Sequence, residues 1–149
     1  MRAVVQRVKS ASVTIDGKRY SQIEQGFLVL IGVEVGDTAA DLKYISAKVM
    51  NLRIFEDAQQ KMNLSLKEVG GAILAVSQFT LLGDARSSRR PSFITAARPE
   101  EAIPLYEQLI ASWRNEQIPV ETGVFGADMQ VALVNDGPVT ILLDSKKIL

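Results

Sequence analysis

Apolar positions alternate or run together from residue 2 to residue 15, where Val4, Val5, Val8, Ala11, Val13 and Ile15 mark a strand. Asp16-Gly17 follows, a pair suited to a tight hairpin turn, and Tyr20 to Glu24 reads as the returning strand. Gly26 to Val33 is apolar on both faces and predicts a buried strand. Past Asp37-Thr38 the period changes. Ala39, Leu42, Ile45, Val49 and Leu52 recur at spacings of three and four, which predicts an amphipathic helix with Asp41, Lys43 and Lys48 facing outward. Arg53-Ile54-Phe55 predicts a short strand, residues 56–60 a polar turn, and Asn63-Leu64-Ser65-Leu66 is ambiguous. Ala72 to Val76 is a buried-strand pattern that runs into Ser77-Gln78, and residues 83–97 read as a long loop rich in Arg and Ser. Pro99-Glu100-Glu101 opens a second helix, since Pro near the first position and acids in the first turn suit a helix N-terminus. Its buried face is Ile103, Tyr106, Leu109, Ile110 and Trp113, and Pro104 falls early enough for the lost backbone bond to matter little. Residues 120–123, 129–134 and 139–143 complete the strands.

Strands dominate this order and the helices are few. The expected class is α+β: an antiparallel or mixed sheet, curled into a barrel-like sandwich, with two peripheral helices. At 149 residues the chain reads as a single domain, 1–149, able to bury roughly 70% of its unfolded surface. Hydrophobic residues at 47% and charged residues at 23% form an ordinary globular balance. No apolar run is long enough to span a bilayer and the first residues lack a secretory layout, so no membrane partner is expected. With no cysteines there is no disulfide framework, and the expected compartment is the cytoplasm.

The missing residue types narrow the chemistry. The chain has no His and no Cys. A Ser-His-Asp triad and a thiolate nucleophile are therefore excluded, as are metal sites built on imidazole or thiolate. No metal and no cofactor are expected. Any hydrolysis must draw on hydroxyls, carboxylates, Lys, backbone dipoles, water or a group of the substrate. Seventeen basic residues balance seventeen acidic ones. A dedicated nucleic-acid binder is usually basic overall, yet the charge here is unevenly spread. Arg86, Arg89 and Arg90 share one loop, Arg2, Arg7 and Lys9 follow the first strand, and Lys146-Lys147 lie near the end. Such a surface suits a few phosphates of an RNA end or, equally, a solvated mixture of charges.

Two segments carry the most information. Asn135-Asp136-Gly137-Pro138-Val139-Thr140 sits between two apolar runs. Gly and Pro there suit a hairpin turn, but they also suit a backbone presented to a ligand, because Gly137 has no Cβ and Pro138 fixes its own φ. Ser77-Gln78-Phe79-Thr80 gathers hydroxyl, amide, aromatic and hydroxyl groups at the end of an apolar strand. That is either a strand surfacing into a polar loop or the wall of a pocket.

Ser-Gln-Phe-Thr-Leu at 77–81, together with Asn-Asp-Gly-Pro-Val-Thr at 135–140, resembles the paired signature of the D-aminoacyl-tRNA deacylase family. The opening residues 1–8, Arg90-Pro91-Ser92-Phe93 and residues 122–129 resemble that family in the same order, so the likeness covers essentially the whole chain. It implies a deacylase-type fold and hydrolysis of the ester of D-aminoacyl-tRNA, and of glycyl-tRNA. The partners it implies are the aminoacylated 3′ end of tRNA and a second copy of the chain, with the active site at the subunit interface. No DNA partner is expected. Ser77, Gln78, Phe79 and Thr80 would form the catalytic segment. Gly137 and Pro138, joined by a cis bond, would present main-chain carbonyls that exclude an L side chain. Arg7, with several donors in a fixed fork, is the candidate for pinning that loop; the other reading is an ordinary strand-surface arginine. The resemblance favours a route in which the ribose 2′-OH assists, with backbone N–H groups near Phe79 and Thr80 stabilising the oxyanion, over one with Thr80 as nucleophile. A reading of a different class is a non-catalytic RNA-binding homodimer that keeps the pocket for recognition only.

Overall fold

A computed structural model describes residues 1–149. The long first strand β1 (Arg2–Ile15) organises everything else. On one side it pairs antiparallel with β2 (Lys18–Ile23) through its second half and with β3 (Gly26–Gly32) through its first half. On its other side runs β8 (Gln130–Asp144), also antiparallel. The turn from β1 to β2 is made by Asp16 (φ 50°) and Gly17 (φ 76°), the two consecutive left-handed residues that a tight hairpin requires.

Beyond β3 the sheet becomes parallel. β3 pairs with β6 (Ala72–Ser77), and β6 with β7 (Val120–Thr122). β4 (Phe55–Glu56) and β5 (Met62–Leu64) form a separate small hairpin, so the ambiguous residues near Asn63 are a strand. The sheet is therefore mixed and curled as expected. One face carries a large core of Val5, Phe27, Val29, Ile31, Ile73 and Ala75 under the helices. The other encloses Val8, Val13, Leu28, Leu74 and Val76, where β1 and β2 fold over. The β3 run is apolar on both faces because each face meets one of these cores.

Helix α1 (Ala39–Asn51) begins at Thr38, whose hydroxyl accepts from Ala40 while Asp41 accepts from the Thr38 N–H at 2.8 Å. Asp41 does more than face outward: it also accepts from Ser145 Oγ at 2.7 Å, tying the helix to the end of β8. Ala39, expected on the buried face, is exposed in the first helical turn. Helix α2 (Pro99–Asn115) crosses α1 at Ser46 and Ser112, whose hydroxyls lie 2.7 Å apart. Trp113 is fully buried between them and its indole N–H donates to Ser46 O.

The largest departure from expectation lies in β8. Residues 129–134 and 139–143 are not two strands joined by a hairpin. Both arms pair with β1, Leu133 with Ala11 and Leu142 with Val4, and the chain never reverses. Between the partners Asn135↔Val8 and Thr140↔Gln6 the register slips, and residues 136–139 swell outward as a bulge. The second departure is at Phe79–Leu82, which winds into a 3₁₀ turn.

Candidate active site

β6 carries the chain out of the core to Ser77, and its neighbour β3 closes the step, with Gln78 N–H donating to Ile31 O at 2.7 Å. The 3₁₀ turn at Phe79–Leu82 then breaks the strand direction. Arg2 holds this turn from β1: Nη1 donates to Leu81 O at 3.0 Å while Nε meets Asp144 at 3.2 Å. From below, buried Tyr106 donates its hydroxyl to Ala75 O at 2.9 Å. Burial pushes that phenol well above its ordinary range, so Tyr106 stays a neutral positioning group beneath the end of β6.

Ser77, Gln78, Phe79 and Thr80 line one wall of a groove of about 340 Å³; Phe125, Ala127, Asp128 and Met129 line the other. Phe79 and Thr80 are exposed, Ser77 and Gln78 half-buried. Gln78 Nε2 donates to Thr80 Oγ1 at 3.0 Å, so the Thr80 hydroxyl meets an amide donor and not a base. The main-chain N–H groups of Phe79 and Thr80 precede the first bond of the 3₁₀ turn, from Leu81 N–H to Gln78 O, and have no partner within that turn. The groove thus offers two adjacent main-chain donors, two hydroxyls, an amide and aromatic rings. A larger cavity of about 540 Å³ lies behind Phe125 against α2, but none of Ser77–Thr80 reaches it.

Gly137, Pro138 and Arg7 form a separate cluster. The Gly137-Pro138 bond is cis, and both residues are exposed at the crest of the bulge. Arg7 is buried beneath them. Its Nε donates to Asp136 O at 2.8 Å and its Nη1 to Ile54 O at 2.5 Å, with the Asp136 carboxylate 3.9 Å away. Asn135 closes the base of the bulge. Its Oδ1 accepts from Val139 N–H at 2.7 Å and its Nδ2 donates to Val139 O and Thr140 Oγ1. Gly137 sits at φ +145°, and a Cβ there would lie 2.7 Å from Val139 Cγ2 and 3.2 Å from Arg7 Nη2. Only glycine fits.

The bulge does not reach the groove of its own chain. Arg7 is level with Phe27 and Ile73, whereas Ser77 is level with Ile31 and Ala3. The two segments are thus four residue steps apart along the strands, about 13 Å, with β1 and β3 between them. Of the residues singled out by the sequence, the structure gathers Ser77–Thr80 in one place and Gly137, Pro138 and Arg7 in another. It adds Asn135, whose signal was an Asn beside Asp-Gly-Pro. It also adds Phe125 and Met129, which the sequence marks only as part of the 122–129 resemblance.

This chain matches the D-Tyr-tRNA(Tyr) deacylase family over residues 4–144. A D-aminoacyl-tRNA deacylase of Thermosipho africanus is 56% identical over 148 residues, covering 99% of each chain. One of Koribacter versatilis is 59% identical over 147 residues with the same coverage. A solved structure described as a c-Myc DNA unwinding element binding protein superposes with a TM-score of 0.91 at 40% identity, covering 97% of this chain and 98% of that one. By sequence over nearly its whole length, the chain belongs to the D-Tyr-tRNA(Tyr) deacylase family.

Proposed function

We propose that residues 1–149 act as one domain that hydrolyses the ester joining a D-amino acid to the 3′-terminal adenosine of tRNA, releasing free tRNA and the D-amino acid. Family membership supports the reaction. The observation that carries the mechanism is the pair of N–H groups at Phe79 and Thr80 left outside the turn's own bonds, in a groove where the Thr80 hydroxyl is hydrogen-bonded to an amide and to no base. Water attacks the ester carbonyl carbon, the two N–H groups receive the developing oxyanion, and the bond to the 3′-oxygen breaks, with the water proton ending on that oxygen. In a chain without imidazole or thiol, the neighbouring ribose 2′-OH is the group that helps activate the water. Ser77, Gln78 and Phe79 hold the adenosine and ester in place.

Chirality is sensed by Gly137 and Pro138 of a second copy. Their main-chain carbonyls face the substrate α-carbon, accept from its amino group and fill the space an L side chain needs. Glycine, lacking a side chain, is not excluded, so glycyl-tRNA is also cleaved. Sharing across a homodimer is supported by two features: the bulge is exposed but remote from its own groove, and β8 has an open outer edge with Leu133, Val134 and Leu142 exposed.

Purified protein incubated with D-tyrosyl-tRNA and L-tyrosyl-tRNA tests the reading. Release from the D form alone supports it, and binding of both without release decides for the RNA-binding homodimer. Transfer RNA ending in 2′-deoxyadenosine should be bound but not cleaved. Sedimentation should give a dimer. Mixing a bulge-defective variant with a groove-defective one should restore part of the activity, because each mixed dimer contains one intact shared site.

A further inference from the structure

Residues 84–98 hold four arginines and one aspartate in a chain whose charges cancel. The aspartate is already engaged. Asp84 accepts from Arg86 Nε at 2.9 Å and Nη2 at 2.7 Å, which holds its carboxyl well below the usual carboxylate range. Arg89, Arg90 and Arg98 are exposed and enter no ion pair.

This segment is anchored rather than loose. Asp84 and Ser92 exchange both main-chain hydrogen bonds at 2.8 Å, so residues 85–91 project as a finger from a closed base. That base is fixed to the fold by Val35 N–H donating to Thr95 O and Ala97 N–H donating to Val33 O. It is fixed to the groove as well. The Phe93 ring stands edge-on to the Phe79 ring, with centroids 5.2 Å apart, and Gly83 packs against Phe93 directly after the 3₁₀ turn. The finger therefore rises from the same wall that carries Phe79 and Thr80.

We propose that Arg89 and Arg90 bind the sugar-phosphate backbone of the single-stranded 3′ end as it leaves the groove, each guanidinium taking one phosphate. This rests on the deacylase reading. The terminal adenosine is the only nucleotide the groove needs to hold, and the nucleotides before it must cross the groove rim. A guanidinium suits this task because its fork of donors matches a phosphate in two-point contact. With no net charge on the chain, RNA affinity must come from such a local concentration of cations.

The test compares the full-length protein with the double variant Arg89→Ala/Arg90→Ala. The first readout is the Kd for deacylated tRNA, from fluorescence anisotropy over a range of salt concentrations. The variant should bind about tenfold more weakly near physiological salt, and the slope of log K against log salt should be shallower by about 1.4. Arg89→Lys/Arg90→Lys should recover most of the slope. The second readout is hydrolysis. The KM for D-tyrosyl-tRNA should rise with kcat kept, while D-tyrosyl-adenosine, which has no phosphodiester, should be cleaved equally by both proteins. An unchanged Kd and slope overturns the proposal, and so does an equal loss on D-tyrosyl-adenosine. The binding readout needs no catalysis: tRNA bound through these arginines but left uncleaved would sink the deacylase reading and leave the finger standing.

Discussion

Ser77–Thr80 and Asn135–Val139 are both exposed, polar breaks in strands, yet they are held in opposite ways. The groove segment has one internal side-chain contact, Gln78 to Thr80, and leaves two main-chain donors outside the turn's own bonds. The bulge is closed from beneath by a buried guanidinium and zipped at its base by an asparagine using both ends of its amide. One surface is concave and ready to form hydrogen bonds; the other is convex and braced from beneath. A surface meant to reject a shape must not yield, and one meant to stabilise a changing charge must keep its donors free. The contrast supports the proposal that the bulge selects and the groove carries the chemistry.

Substitutions should break this contrast in graded steps. Gly137→Ala is expected to have the largest effect, because the new Cβ meets Val139 at a backbone angle that L residues avoid. The kcat/KM for D-tyrosyl-tRNA should fall by about 100-fold or more, against a stability loss of about 1–3 kcal/mol. A fall in activity no larger than the loss of folded protein would reduce the bulge to a structural kink. Arg7→Ala removes the partner of two carbonyls and leaves a hole beneath the bulge. It should lower unfolding free energy by about 3 kcal/mol in denaturant titrations, and Arg7→Lys should recover only part, since one ammonium cannot reach both carbonyls along the same directions. Asn135→Ala should lose about 1–2 kcal/mol, mostly from the Val139 N–H left without an acceptor.

Thr80→Ala probes the groove. Turnover should stay within about tenfold of the parent, with no acyl-enzyme trapped at any time point; near-complete loss with a trappable ester would make Thr80 the nucleophile. Asp41→Asn is a control remote from both regions. Burial opposes the charged Asp41 carboxylate, but hydrogen bonds from Ser145 and Thr38 outweigh it and hold the carboxyl below its ordinary value of 3.8. A lowered carboxylate stabilises the fold above its unfolded pKa and loses that contribution as pH falls through the folded one. The variant should therefore be about 1 kcal/mol less stable at neutral pH, converging with the parent in acid and with activity per folded molecule unchanged.

Much of this molecule is legible along the chain. The alternation in β1, the Asp16-Gly17 turn, the double-sided apolar run of β3 and the three-and-four spacing of both helices are local consequences of periodicity, and each element forms where the pattern places it. The course of β8 is not legible in the same way. A Gly-Pro pair flanked by apolar runs satisfies a turn and a bulge equally well, and what decides is a partner strand long enough to pair with both arms, more than a hundred residues earlier. The parallel pairing of β3 with β6 is equally non-local. In the site, Ser77–Thr80 stood out because hydroxyl, amide and aromatic groups gather there after an apolar strand, in a segment that resembles a family signature. Phe125 and Met129 did not, because apolar side chains in a groove wall carry the same signal as those in a core.

The pairing of β1 with β8 also governs the order in which the molecule can assemble. Arg2 finds its partner Asp144 across 142 positions of sequence. During synthesis β1 must keep one edge bare until β8 has left the ribosome. Closure of so distant a contact makes folding slow compared with a helical protein of similar length, and in that interval the uncovered edge of β1 is the part of the chain most open to joining the wrong neighbour.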